Sequence, residues 1–202
     1  MLRVRGLTIT WRVRATILVT LVFSTASLGG GEASARAANT VHAARICRGA
    51  LTLPTHSNHT LIDAAITCLV DRERTVHRLP ALRANHELQG IASSLAGEMA
   101  LAGYFGDDTL SGRTPWQRIA SSPYAVGAHV LSAAQNIGWG TGGLATPLGV
   151  VAEWMQSPPH RQIILTGGYR DVGAGVAPVA PSSVTHEKPG ATYTLELAAR
   201  AG

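Results

Sequence analysis

The stretch Gln135–Gly140 reads QNIGWG, and Trp154–Arg161 reads WMQSPPHR. These two segments contain clear signals for a strand and for a helix start. The first closes an apolar run: residues 129–137 predict a strand, and the glycine-rich residues 138–143 predict a turn after it. The second contains a Ser-Pro pair, a combination that is typical of a helix start.

Three such pairs occur in the second half of the chain: Thr114-Pro115, Thr146-Pro147 and Ser157-Pro158. A Ser or Thr side chain caps the first free backbone N–H groups of a helix, and proline fits its first turn. The sequence therefore predicts three short helices, and Ser157 has a structural role as a cap.

Two longer helices are predicted upstream. The first begins near Thr60, where apolar residues follow helical spacing while residues 71–74 (Asp-Arg-Glu-Arg) can face water. The second begins after Asn85, a good N-cap, and ends at Gly103.

Downstream, residues 172–177 predict a strand, and residues 192–197 alternate in the manner of a strand with one buried face. Residues 178–190 between them form a largely polar, proline-containing loop. Helices followed by antiparallel strands predict an α+β fold in which helices pack on a sheet.

Several segments together resemble the CAP superfamily, the SCP-like and cysteine-rich secretory proteins, in its bacterial form. The matching segments are LVDRER (69–74), GYF (103–105), GRTPWQRI (112–119), QNI (135–137) and SPPHR (157–161). The likeness extends over residues 61–197. It implies an α-β-α sandwich, with a mainly antiparallel sheet flanked by helices and a central cleft.

In many members of that family, two His and two acidic residues line the cleft and can bind a divalent metal. Carried over by position, His160 is retained, Asp107 stands where the first His is expected, and Gln135 replaces a Glu. Asn136 matches the family's Asn, and Ser157 occupies a position that is acidic in many eukaryotic members. The resemblance thus implies a cleft lined by Asp107, Gln135, Asn136 and His160.

These residues leave the chemistry of the cleft open. A zinc site needs three or four ligands, whereas His160 and Asp107 supply two, so no metal site and no cofactor is assigned. Weak binding of a hard cation at Asp107 and Asp108 is one interpretation, and a solvated turn is the other. His160 is the candidate catalytic residue, with Asp107 as its orienting group and Ser132 or Ser157 as nucleophile, but the chain has no Gly-x-Ser-x-Gly or His-Glu-x-x-His motif.

The N-terminus predicts export. Residues 1–37 combine four early arginines with an apolar run, Ala15–Leu28, and end in small-x-small sequences, as a signal peptide does. An uncleaved anchor is the alternative, and only through it would the protein contact a membrane. Without residues 1–37, Lys+Arg falls from 17 to 12 and Asp+Glu from 12 to 11, so the formal charge drops from +5 to +1. A nearly neutral body argues against nucleic-acid binding.

Export also predicts a disulfide between Cys47 and Cys68, because paired thiols persist in oxidising compartments. The domain plan is then a signal peptide (1–37), an N-terminal arm (38–59) and a CAP domain (60–202). The leading functional hypothesis is a monomeric, secreted, non-enzymatic module that binds a lipid or cell-envelope ligand. The alternatives are a metal- or His-dependent hydrolase of envelope material and a surface interaction protein without cleft function.

Overall fold

The computed structural model describes residues 47–202, so the predicted signal peptide and the arm up to residue 46 lie outside the described residues. Within the described part, the helices are α1 (His59–Val76), α2 (His86–Ala102), α3 (Pro115–Ala120), α4 (Pro147–Gln156) and α5 (Pro158–Ile164). The strands are β1 (Arg83–Ala84), β2 (Val130–Thr141), β3 (Asp171–Ala177) and β4 (Gly190–Ala201). Short 3₁₀ turns occupy Pro123–Ala125 and Gly142–Ala145.

The four strands form one mixed sheet in the order β1-β3-β4-β2. The long β2 and β4 pair antiparallel over their whole length, from Val130 opposite Ala201 to Thr141 opposite Gly190. Strand β3 is antiparallel to β4, and the two-residue β1 is parallel to β3. The predicted mainly antiparallel sheet is confirmed.

Helices cover both faces of this sheet. Helices α1, α4 and α5 share one apolar core with the sheet, in which Trp154 and Tyr193 are among the largest buried side chains. Helices α2 and α3 pack on the other face, where Leu88, Ile119 and Met99 are fully buried. The arrangement is the α-β-α sandwich that the family resemblance implies.

The predicted turn at residues 138–143 is wrong, because β2 continues through it to Thr141. Two of its glycines let helical elements approach the strand closely. A Cβ on Gly138 would collide with Val150 and Trp154, and one on Gly140 would collide with the backbone of Leu144. Glycine is here a packing requirement of a strand and not a signal for its end.

The prediction that β4 has only one buried face is also wrong. Residues 190–198 are all buried, including Thr192, Thr194 and Glu196, because helices cover the sheet on both sides. When helices cover both faces of a strand, all its residues are buried. Alternation of polar and apolar residues then no longer distinguishes a buried face from an exposed one. The polar face of β4 is therefore part of the interior.

The predicted helix starts are found, although one of the caps differs. The side chains of Asn85 and Thr146 accept hydrogen bonds from the N–H groups of Leu88 and Gly149. Thr114 forms a complete capping box. Ser157 precedes α5 as predicted, but its side chain makes no capping hydrogen bond. Its predicted role as a side-chain cap is wrong, and proline at the first turn remains as the start signal.

Arg74 contradicts the expectation that residues 71–74 face water. Its side chain is fully buried, and its guanidinium donates to the carbonyl oxygens of Pro80 at 3.0 Å, Ile164 at 2.8 Å and Thr166 at 3.0 Å. The nearby Asp71 accepts a hydrogen bond from the N–H of Leu82 at 2.8 Å. An Arg can be buried at low cost when carbonyl groups satisfy its donors. The hydrogen bonds of Arg74 to Ile164 and Thr166 tie the end of α1 to the end of α5.

The Cys47–Cys68 disulfide is confirmed. It joins the described start of the arm to the middle of α1, and the carbonyl oxygen of Ala50 accepts the N–H of Leu148 at 2.9 Å, which holds the arm against α4. None of the described helices combines the length and the apolar character that crossing a membrane requires.

Candidate functional site

The loop that follows α2 brings Asp107 to the sheet. Gly103 ends α2 in the left-handed conformation, with φ 72°, which glycine adopts without steric cost. Asp107 lies a few residues later, and its Oδ1 accepts a hydrogen bond from Nε2 of Gln135 on β2 at 3.1 Å. Two of the four residues that the sequence places at the cleft are thus in direct contact.

Arg118 of α3 connects this loop to the sheet. Its guanidinium donates to the backbone carbonyls of Asp107 at 3.0 Å and Arg113 at 2.9 Å, and also to Oε1 of Gln135. The same side chain lies 3.7 Å from Oε1 of Glu196. A planar guanidinium with five donors can serve several acceptors at once, so Arg118 is the centre of the cluster.

Glu196 completes the cluster from β4. It lies directly opposite Gln135 in the β2–β4 ladder, it is 0% exposed, and neither of its carboxylate oxygens has a hydrogen-bond partner within residues 47–202. Burial raises its pKa to about 8, although the positive charge of Arg118 acts in the opposite direction. Glu196 is therefore largely protonated at neutral pH.

Burial also raises the pKa of Asp107, the hydrogen bond from Gln135 lowers it, and the neighbouring Asp108 raises it further. We call the four residues Asp107, Arg118, Gln135 and Glu196 the acid cluster. It contains two carboxyl groups, one guanidinium and one amide, and it lies between the sheet and the α2–α3 layer. Hydrogen bonds join Asp107, Arg118 and Gln135 to one another, whereas Nε of Arg118 and both carboxylate oxygens of Glu196 are buried without a partner in the described structure.

His160 lies elsewhere, in the first turn of α5. Gln135 and Asn136 are consecutive on β2, so their side chains point to opposite faces. Asn136 donates from Nδ2 to the backbone carbonyl of His160 at 3.1 Å. Asn136 thus lies within β2 and anchors the first turn of α5 to the strand.

The imidazole of His160 is half-buried, and desolvation lowers its pKa. Within residues 47–202 its ring makes no hydrogen bond and no ion pair, with Asp107 or with any other residue. The pair of base and orienting acid that the sequence suggests is therefore not formed by direct contact. That the four predicted residues line a cleft stays a prediction.

The residues at the family's metal positions do not fit a divalent cation. Gln135 contributes a neutral amide whose nitrogen faces Asp107, so one carboxylate oxygen is already occupied. In the described part of the chain, no three side chains among His, Cys, Asp and Glu lie close enough together to hold a metal ion. Asp108, the other candidate cation ligand, is exposed.

Sequence reasoning missed Arg118 and Glu196. Arg118 lies inside a segment that matches the family, but nothing local marks it as buried. Glu196 belongs to an alternating strand, where its polar position predicts exposure. The register that places it opposite Gln135 becomes visible only with the sheet.

A model of the cysteine-rich secretory protein (CAP) family matches residues 68–188. The chain belongs to the CAP family. Among curated proteins, none matches it. The resemblance drawn from the sequence motifs is thus confirmed, and the match begins at the disulfide-bonded Cys68.

Solved structures agree on the fold. An extracellular protein containing an SCP domain from Bacillus anthracis aligns with a TM-score of 0.52 and 20% identity over 71% of this chain and 43% of its own. An outer surface protein from Borrelia burgdorferi aligns with a TM-score of 0.54 and 16% identity over 67% of this chain and 90% of its own. A cysteine-rich secretory protein from Staphylococcus aureus aligns with a TM-score of 0.50 and 19% identity over 71% of this chain and 40% of its own. This CAP-family chain spans less than half of the Bacillus and Staphylococcus proteins.

Proposed function

We propose that this CAP-family protein is secreted and acts as a non-enzymatic binding module for a lipid or cell-envelope ligand. The observation that carries the proposal is the acid cluster, in which Asp107 and Gln135 bind each other and Arg118. The side chains of Asp107 and Gln135, at two of the family's cleft positions, form hydrogen bonds within the protein, and we assign them a structural role. What is left for function is a surface that can hold a ligand.

Three features support a place outside the cytoplasm. The chain begins with a segment that has the composition of a signal peptide, and Cys47 and Cys68 form a disulfide, which persists in oxidising compartments. Of the structural neighbours, the Bacillus protein is described as extracellular and the Borrelia protein as an outer surface protein.

The state of His160 supports binding over catalysis. A general base needs an orienting group and a nucleophile or water within hydrogen-bond reach. The His160 ring has neither among the side chains of residues 47–202, and the side chain of Ser157 makes no hydrogen bond to it. A half-buried, neutral imidazole is well suited to packing against an apolar ligand.

Exposed leucines next to the Asp107 loop support an apolar ligand. The N–H of Leu110 donates to Oε1 of Glu98 at 2.8 Å, so Leu110 lies beside the end of α2. Leu101, one turn after Glu98, is 92% exposed, and Leu110 is 66% exposed. Two exposed leucines at one edge of a loop form a small apolar rim that a lipid chain could cover.

The test is native mass spectrometry of the full chain, secreted by a bacterial host and purified from the medium without detergent. We expect a reproducible additional mass of lipid size. In a Leu101→Glu/Leu110→Glu variant this mass should disappear, because two charges would line the apolar rim. Val76→Glu is the control, since Val76 is about as exposed as Leu110, at 67% against 66%, and lies at the end of α1, outside this loop.

Two results would contradict the proposal. A bare polypeptide mass that persists after incubation with a total lipid extract would favour a surface interaction protein. Turnover of purified envelope material that His160→Ala abolishes would favour a hydrolase.

A further inference from the structure

A cavity lies at the outer edge of β3, separate from the acid cluster. Strand β1 pairs only Arg83 and Ala84 with β3, so within residues 47–202 the edge of β3 has no neighbouring strand beyond Val172. Helix α1 covers one face of the sheet there and the start of α2 covers the other. Between them is a cavity of about 530 Å³, a size typical of small-molecule sites.

The most unusual group in the cavity wall is Asp63 of α1. It is 5% exposed, its Oδ2 accepts a hydrogen bond from Nε2 of Gln89 on α2 at 3.1 Å, and its Oδ1 is buried without a partner in the described structure. An unpartnered buried carboxylate oxygen is costly. Such a group calls for a donor that residues 47–202 do not supply.

Asp63 also forms no ion pair in the described structure. The two ion pairs within residues 47–202 involve Asp171 and Glu196, so neither Asp63 nor Asp71, the second acid of the cavity wall, takes part in one. Burial raises the pKa of Asp71, although the charge of Arg74 acts to lower it. Burial raises the pKa of Asp63 to about 6, while the hydrogen bond from Gln89 and the charge of His59 act in the opposite direction. At neutral pH the cavity wall therefore carries negative charge.

The wall contains polar residues, among them Thr60, Thr67, Asn85 and His86, and also an apolar portion. Ala64, Ala84, Val172 and Ala174 all contribute to it. Val172 and Ala174 lie on the sheet face that packs against α1, and Ala64 is on the exposed side of α1. A ligand would thus meet a short apolar surface beside a buried carboxylate.

We propose that this cavity binds a small molecule that carries a protonated primary amine next to a short apolar body. The ammonium group donates to Asp63, and the apolar body lies against the alanines and Val172. This site shares no residue with the acid cluster or with His160, so it is independent of the function proposed above. Asp63, Asp71 and His86 all line the cavity, but no three such side chains among residues 47–202 lie close enough together to hold a metal ion, which argues for an organic cation.

The test uses hexylamine as the probe and 1-hexanol, of the same length, as the neutral comparison, with Kd measured by NMR titration at pH 7.5. We expect hexylamine to bind at least tenfold more tightly than hexanol and to shift the amide signals of Ala84, Gly173 and the side chain of Gln89. Asp63→Asn should weaken hexylamine binding at least tenfold. Glu153→Gln, which removes a half-buried carboxylate on α4 outside the cavity, should leave it unchanged.

Ala64→Phe provides a second variant, because Ala64 is exposed and its replacement fills the cavity without disturbing the core. It should also weaken hexylamine binding at least tenfold. Equal affinities for hexylamine and hexanol would overturn the proposal. So would signal shifts that map outside the cavity, the absence of binding at millimolar probe, or native-like affinity in folded Asp63→Asn or Ala64→Phe.

Discussion

Gln135 and Glu196 lie directly opposite each other on β2 and β4, and both lie against the guanidinium of Arg118. The sequence resemblance places a carboxylate at position 135, and the chain has an amide there. The structure shows a carboxyl group on the neighbouring strand, facing the same arginine. The acidic function next to Arg118 is thus present, but it comes from β4 and is buried.

Glu196→Gln should stabilise the protein at alkaline pH. Burial raises the pKa of Glu196 to about 8, above the ordinary value of 4.5, so the folded state retains a proton that the unfolded chain loses between these two values. The contribution of Glu196 to stability is therefore fully present below about pH 4.5 and falls as the pH rises towards 8. An amide has no proton to lose, so we expect the variant to gain on the order of a few kcal/mol at pH 8 and little at pH 4.5.

The measurement is urea unfolding of both proteins from pH 4.5 to pH 8.5. Glu187→Gln is the control, because Glu187 is exposed and its hydrogen bond to Thr141 is one that an amide can keep. A variant that is less stable than the native protein at every pH would show that Glu196 is ionised and paired with Arg118.

Arg118→Lys should loosen the loop that carries Asp107. A lysine ammonium cannot reach the carbonyls of Asp107 and Arg113 and the amide of Gln135 together, as the guanidinium does. We expect a loss of about 1–3 kcal/mol, because buried carbonyl and amide acceptors would lose their donors. Hydrogen exchange of the amides in residues 107–113 should become faster.

Arg113→Lys is the matched control for this substitution. The Arg113 side chain is exposed, and its backbone carbonyl remains available to Arg118. Equal exchange rates in the two variants would mean that the loop is held by something other than the guanidinium of Arg118.

The helices were predictable because their signals are local. Asn85 and Thr114 form caps with residues three positions later, and these signals do not depend on the rest of the fold. The order of motifs then predicted the sandwich. The predicted end of β2 was wrong because tertiary packing decides it. The sequence marks Gly138 and Gly140 as a turn, but both lie in β2, where a Cβ would collide with the neighbouring helical elements.

The candidate site was predictable only in part, since its partners are far apart along the chain. The family resemblance assigns both Asp107 and Gln135 to the cleft, and their contact is seen only in the structure. Arg74 binds carbonyls about 90 residues away, and Glu196 meets Arg118 only because of the β2–β4 register. No spacing or periodicity within a short window contains this information.

Removal of the disulfide should destabilise the protein. Cys47 and Cys68 are 21 residues apart, and the chain-entropy model gives about 3 kcal/mol for a closed loop of that size. A Cys47→Ala/Cys68→Ala variant should therefore unfold at a lower urea concentration than the native protein. Since the arm also binds α4 through Ala50 and Leu148, exchange at the Leu148 amide should increase. An unchanged urea midpoint would show that the arm is held by its packing alone.

Two glycines near α2 should respond in opposite directions to replacement by alanine. Gly175 of β3 lies against the backbone of α2, and a Cβ there would collide with Ala92 and Ser93, neither of which can move without displacing the helix. We expect Gly175→Ala to cost about 1–3 kcal/mol, as overpacked core positions do. Gly97 lies within α2 itself, and a Cβ added to it would meet no atom within 4 Å, so Gly97→Ala should stabilise the helix by up to about 1 kcal/mol. Urea unfolding of both variants measures the two effects, and a stabilising Gly175→Ala would mean that α2 does not pack directly on β3.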